Sequence, residues 1–113
     1  MTIPTLTVKF YRNDLGKEPV REWLYELSQL DRKMIGDDIK TVQFGWPLGM
    51  PLVRKLKPHL WEVRIQLVSR IARVIFTVDD NTMVLLHAFI KKSQATPQED
   101  LALAVNRLKQ ARS

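Results

Sequence analysis

The sequence predicts an α+β domain, and three observations carry that prediction. Apolar residues recur at helical spacing from Val20 to Trp46, the period switches to two between Leu52 and Ile90, and Thr96-Pro97 opens a last helix. Helices and strands in separate blocks favour α+β over an alternating α/β arrangement. At 113 residues the chain has the length of one compact domain, so residues 1–113 are read as a single unit.

The first element is a short strand over Thr5–Phe10, in which Leu6, Val8 and Phe10 share a face. Asn13, Asp14 and Gly16 supply turn chemistry. Pro19 suits the first turn of a helix whose apolar stripe is Val20, Trp23, Leu24, Leu27 and Leu30. Asp31 is the expected cap of a second helix, with Ile35, Ile39, Val42 and Trp46 on one face, stopped by Gly45, Pro47 and Gly49. Four strands follow, over 52–57, 60–67, 70–78 and 82–90, joined by connections short enough for an antiparallel meander. Thr96, Pro97 and Glu99 form a capping box ahead of Leu101, Ala104, Val105 and Leu108. The two N-terminal helices are expected to cover one face of the sheet.

Charge is unevenly spread. Residues 1–53 hold seven basic and seven acidic groups, whereas residues 54–113 hold eleven basic and five acidic ones, so the later half supplies the whole net charge of +6. That is the footprint of a polyanionic partner, nucleic acid or an acidic protein, or else a basic face kept for solubility. With no Cys there are no disulfides, thiolate metal sites or cysteine nucleophiles. His59 and His87 alone do not make a metal cluster, so neither a metal nor a cofactor is expected. No apolar run approaches the ~18 residues that span a bilayer, which predicts a cytoplasmic protein with no membrane contact.

The strand faces define a candidate site. Trp61, Val63, Ile65 and Leu67 form one apolar face, which puts Glu62, Arg64 and Gln66 on the other; in the next strand Ala72, Val74, Phe76 and Val78 face the core and Arg73 does not. A two-residue Val68-Ser69 loop sets Arg64 opposite Arg73. Like charges so placed repel, and an anion between them would account for the pair. A three-residue loop over 79–81 would set Val78 opposite Thr82 and Arg73 opposite His87, giving a row of Arg64, Arg73 and His87. Arg54, Lys55 and Lys57 precede the row and Lys91-Lys92 follow it. His87 is read either as a hydrogen-bonded sheet histidine or as an imidazole able to move a proton.

The segments Leu60-Trp61-Glu62-Val63-Arg64, Arg73-Val74-Ile75-Phe76 and Leu85-Leu86-His87-Ala88-Phe89-Ile90-Lys91-Lys92, with Thr96-Pro97 and the helix after them, resemble the RelE/ParE toxin superfamily. The likeness is closest to HigB-type, phage-derived toxins of type II toxin-antitoxin systems. It implies a RelE-like fold and a metal-independent mRNA endoribonuclease that works on the ribosome. It further implies Arg64, Arg73 and His87 as catalytic groups, with His87 as general base, Lys55 and Lys57 as groups that bind RNA or take part in proton transfer, and Lys91 and Lys92 as RNA-binding ones; Arg54, flanking the row, is read as RNA-binding with them. The implied partners are mRNA, the ribosome and a helix-turn-helix, HigA-like antitoxin from a neighbouring gene, with operator DNA reached only through the antitoxin. The late-strand tyrosine of RelE-type members has no counterpart, since Tyr11 and Tyr25 lie early. The alternative within the superfamily is a ParE-like gyrase inhibitor without catalytic activity.

Overall fold

The computed structural model describes residues 3–92 and 96–112. Its elements are β1 (Thr7–Phe10), α1 (Pro19–Tyr25), α2 (Gln29–Gly45), β2 (Val53–Lys57), β3 (Leu60–Gln66), β4 (Ile71–Asp79), β5 (Thr82–Ile90) and α3 (Gln98–Arg112). This is the α+β class that the periodicity predicts. The strands form one sheet in the order β1-β5-β4-β3-β2. β2 to β5 are the expected antiparallel meander, whereas β1 pairs with β5 in parallel, from Thr7 against Thr82 to Phe10 against Leu85. The sheet is therefore mixed. Alternation of side chains identifies a strand's buried face but not its neighbour or its direction.

α1 and α2 cover one face, as expected. Val20, Ile35, Ile39 and Val42 pack there against Val63, Ile65, Val74, Phe76 and Leu85. Trp46, Trp61 and Phe76 close one end of this core, with ring centroids 5.0 Å apart for Trp46–Trp61 and 6.0 Å for Trp61–Phe76. α3 covers part of the other face, where Ala104 meets Tyr11, Leu60, Ile75, Val84 and Leu86. Burial from both sides explains why every residue from Ala72 to Thr77 in β4 is buried.

Three helix boundaries differ from expectation. α1 ends at Tyr25, short of Leu30, which is exposed. The cap of α2 is Ser28, whose hydroxyl accepts from the Asp31 N–H at 3.1 Å. Serine is as good a cap as aspartate, and this choice leaves Asp31 in the first turn, where the helix dipole favours a carboxylate. There Asp31 accepts a hydrogen bond from Arg70 at 3.0 Å and ties α2 to the β3–β4 turn. α3 begins one residue later than the capping box implies, with the Leu101 N–H donating to the Pro97 carbonyl.

The hairpin registers place the site. Across β3–β4 the Leu67 N–H donates to the Arg70 carbonyl at 2.8 Å, and Arg64 stands opposite Arg73 as expected. The β4–β5 hairpin departs from expectation twice. Its turn is Asp80-Asn81, with Asp80 in the left-handed region that aspartate tolerates, so Asp79 pairs with Thr82. A bulge then lets Phe76 pair with Leu85 and Ile75 with His87, leaving Leu86 as the extra residue. Arg73 consequently faces Phe89, not His87. His87 stays on the α3 side of the sheet, two pairs further along and opposite Ile75, so the straight row of Arg64, Arg73 and His87 is not formed.

Candidate functional site

The α3 side of the sheet carries Glu62 and Arg64 on β3 and Arg73 on β4. Sequence reading makes this the polar and therefore solvated face, yet Glu62 and Arg73 are both 0% exposed. Arg73 Nη1 donates to Glu62 Oε1 at 3.0 Å and to Thr96 Oγ1 at 3.3 Å, and the Thr96 hydroxyl donates to Glu62 Oε2 at 3.0 Å. Three segments, β3, β4 and the lead into α3, thus meet in one closed polar knot. Glu62, two residues before Arg64 and diagonal to Arg73 across the ladder, supplies the counter-charge that the facing arginines demand, a role the sequence reading gives to a bound anion. The diagonal reach of long side chains in an antiparallel pair is the sequence signal for it.

Further cations gather round this knot. Arg54 pairs opposite Glu62 and is exposed, while Arg64 and Lys91 are half-buried. Burial lowers the pKa of Arg73, an effect Glu62 opposes and Arg64 and Arg54 reinforce. Lys91 is also held below its ordinary value, by desolvation first and then by Arg73 and Arg64, with Glu62 acting in the opposite sense. Arg54, Arg64, Arg73 and Lys91 therefore form one coupled cationic cluster about the Glu62 carboxylate. Beside Arg64 lies a shallow recess of about 210 Å³ bounded by Pro51, Gln66 and Ile71.

His87 belongs to a second network. Its ring stacks on Phe89, 5.6 Å between centroids. Nε2 lies 2.6 Å from Asp100 Oδ1, and Nδ1 lies 3.3 Å from Arg107 Nη1, which also donates to the Leu86 carbonyl. A guanidinium only donates, so Nδ1 accepts and the ring proton sits on Nε2, facing Asp100. Burial pushes the His87 pKa down, the Asp100 carboxylate partly opposes that, and Arg107 adds to it. The imidazole is neutral near pH 7 with both nitrogens engaged by α3. Asp100 and Arg107 lie seven residues apart, on one face of a helix, a spacing visible in the sequence once α3 is known to cross β5.

The remaining expected RNA-binding residues are dispersed. Lys55 lies on the opposite face of the sheet, its Nζ 5.8 Å from the Trp61 ring centroid. Lys57 borders a groove of about 430 Å³ along α3, with Leu101, Val105 and Lys109. Lys92 is exposed and borders a hollow of about 640 Å³ between Trp23, Phe89 and the start of α3.

The family described as phage-derived protein Gp49-like matches residues 22–109. The chain belongs to the Gp49-like family. That is a RelE/ParE-like family of toxins from toxin-antitoxin systems, generally of the RNase type, and membership implies a cognate antitoxin. Comparison with curated proteins gives no match. The five-stranded sheet with two helices before the meander and one after it is consistent with a RelE-like fold in a Gp49-like toxin. Among the described residues no helix is long and apolar enough to cross a membrane.

Proposed function

We propose that this Gp49-like protein is a HigB-type toxin whose single domain cleaves mRNA on the ribosome without a metal, in the cytoplasm. The observation that carries this reading is the drawing together of Arg54, Arg64, Arg73 and Lys91 on one face about a single carboxylate. Phosphodiester cleavage by a ribose 2′-OH needs such a surface. The 2′-oxygen loses its proton to a base and attacks the adjacent phosphorus; the P–O5′ bond breaks, the 5′-oxygen takes a proton, and a 2′,3′-cyclic phosphate remains. Negative charge grows on the phosphoryl oxygens, and fixed guanidinium groups aimed at it lower the barrier.

Roles follow from accessibility. Arg64, half-exposed, is positioned to touch the phosphate, with Arg54 binding the strand beside it. Arg73 works from behind, through its charge. Lys91, whose backbone N–H is fixed to the Ile71 carbonyl at the edge of the cluster, is assigned proton transfer beside Arg64; desolvation and the Arg73 and Arg64 charges lower its pKa. His87 serves as general base only when Arg107 releases Nδ1. Lys55, Lys57 and Lys92 remain candidates for RNA contacts outside the cluster. A helix-turn-helix antitoxin of the HigA kind, encoded next door, would cover this surface and bring operator DNA to the complex.

The test is brief induction in bacteria with parallel labelling of protein and DNA synthesis, and primer extension on one abundant mRNA. The reading expects translation to fall first, with new ends inside reading frames that disappear for Arg64→Ala and Lys91→Ala. DNA synthesis falling first with mRNA intact would overturn it in favour of the gyrase-inhibiting branch.

A further inference from the structure

Among the described residues Met50 is the exposed methionine, 60% accessible, whereas Met34 is half-buried against the α1–α2 core and Met83 is wholly buried. It lies in the turn between α2 and β2, which the Val53 N–H closes by donating to the Gly49 carbonyl at 3.1 Å. That turn is fastened to Arg64 twice. The Arg64 backbone N–H donates to the Leu52 carbonyl at 2.8 Å, and Arg64 Nη1 donates to Met50 Sδ at 3.7 Å. Pro51, the next residue, borders the recess beside Arg64. The guanidinium is not drawn the other way, because the Glu62 oxygens already hold Arg73 and Thr96, and Arg73 stands directly opposite with like charge.

A thioether sulfur is a weak acceptor, so Met50 holds Arg64 loosely and a phosphate oxygen displaces it. An exposed thioether is also open to oxidation. In that step the O–O bond of a peroxide breaks, one oxygen joins Sδ and water leaves; the sulfur gives up two electrons, the peroxide is reduced, and the net charge of the protein is unchanged. The sulfoxide oxygen, one bond beyond Sδ, is a strong acceptor beside a group that only donates. We propose that Met50 is an oxidation site that controls Arg64: hydrogen peroxide converts its thioether to a sulfoxide, whose oxygen holds the guanidinium on the α2–β2 turn and withdraws it from an RNA phosphate. The effect on cleavage rests on the endoribonuclease reading; the capture of Arg64 does not.

The test treats the whole chain with hydrogen peroxide, locates the added oxygen by peptide mass mapping, and follows the Arg64 guanidinium by NMR in the parent protein and in Met50→Leu, which disturbs no core. Met50 is expected to oxidise roughly tenfold faster than Met34 or Met83, in keeping with its exposure. As it does so, rotation of the Arg64 guanidinium slows and its signals shift, while those of Met50→Leu stay as they were before treatment. Cleavage of a reporter mRNA on ribosomes falls about tenfold in the oxidised parent, the scale of one lost charge-assisted contact. It returns on treatment with methionine sulfoxide reductase and a thiol, and peroxide leaves cleavage by Met50→Leu at its own untreated rate. Unmoved Arg64 signals after complete oxidation of Met50 overturn the proposal. So does captured Arg64 beside undiminished cleavage, or an equal loss of cleavage in the parent and in Met50→Leu. Should the untreated parent cleave no RNA, the endoribonuclease reading falls and the Arg64 signals alone decide the capture.

Discussion

Arg73 and Glu62 have to be considered together, because neither is tolerable alone where it sits. Truncating Arg73 strands a carboxylate in the interior, and losses of ~3–5 kcal/mol follow from breaking such a pair. Arg73→Ala is therefore expected to be markedly destabilised in urea, while the paired Glu62→Leu, Arg73→Met variant lies well above it. Placement on the polar face of its strand suggests instead that Arg73→Ala keeps the fold. Strand parity says which side a residue occupies and nothing about what lies over that side, so the burial was not legible. His87 gives a pH dependence. Its folded pKa is depressed, so the unfolded chain binds the proton more readily and stability is lost as pH falls from about 6.5 through that lower value. Replacing His87 with Gln is expected to flatten this slope in thermal melts across the same range.

At the level of elements, every helix and strand was foreseen from period and turn chemistry, and so was the β2–β5 meander, whereas several helix ends, the parallel partner of β1 and the β4–β5 register were not. Ser28 and Asp31 are both acceptable caps, and only the ion pair from Asp31 to Arg70 decides between them. Ser28→Ala is accordingly expected to cost about 1 kcal/mol in melts, within the usual range for a lost cap. The β4–β5 hairpin shows a harder case. A one-residue change in turn length and a bulge at Leu86 each shift the pairing, and no feature of Leu85-Leu86-His87 announces the bulge. Together they kept His87 on the expected face while denying it the expected neighbour. The cationic cluster was legible in its members Arg54, Arg64, Arg73 and Lys91; Glu62 is signalled only by its diagonal reach to Arg73, and Thr96 not at all, since its role exists only once three segments meet.

Across the whole molecule the sheet separates two kinds of interior. The α1–α2 side is apolar and closed by three aromatic rings, while the α3 side combines a small apolar core with a buried ion pair and a hydrogen-bonded histidine network. Trp61→Ala, which removes one of the three mutually contacting rings Trp46, Trp61 and Phe76, is expected to lower stability by about 3 kcal/mol in chemical unfolding, leaving the cation cluster's geometry in place. The sheet also ends differently at its two sides. At one, β1 is only four residues long; at the other, β2 alternates Arg54, Lys55 and Lys57 along an unpaired ladder. A second copy adding itself strand to strand at β2 would bring those three side chains against their own kind. The basic rim thus opposes edge-to-edge addition of another copy while the outer backbone hydrogen-bonding groups of β2 stay open to water.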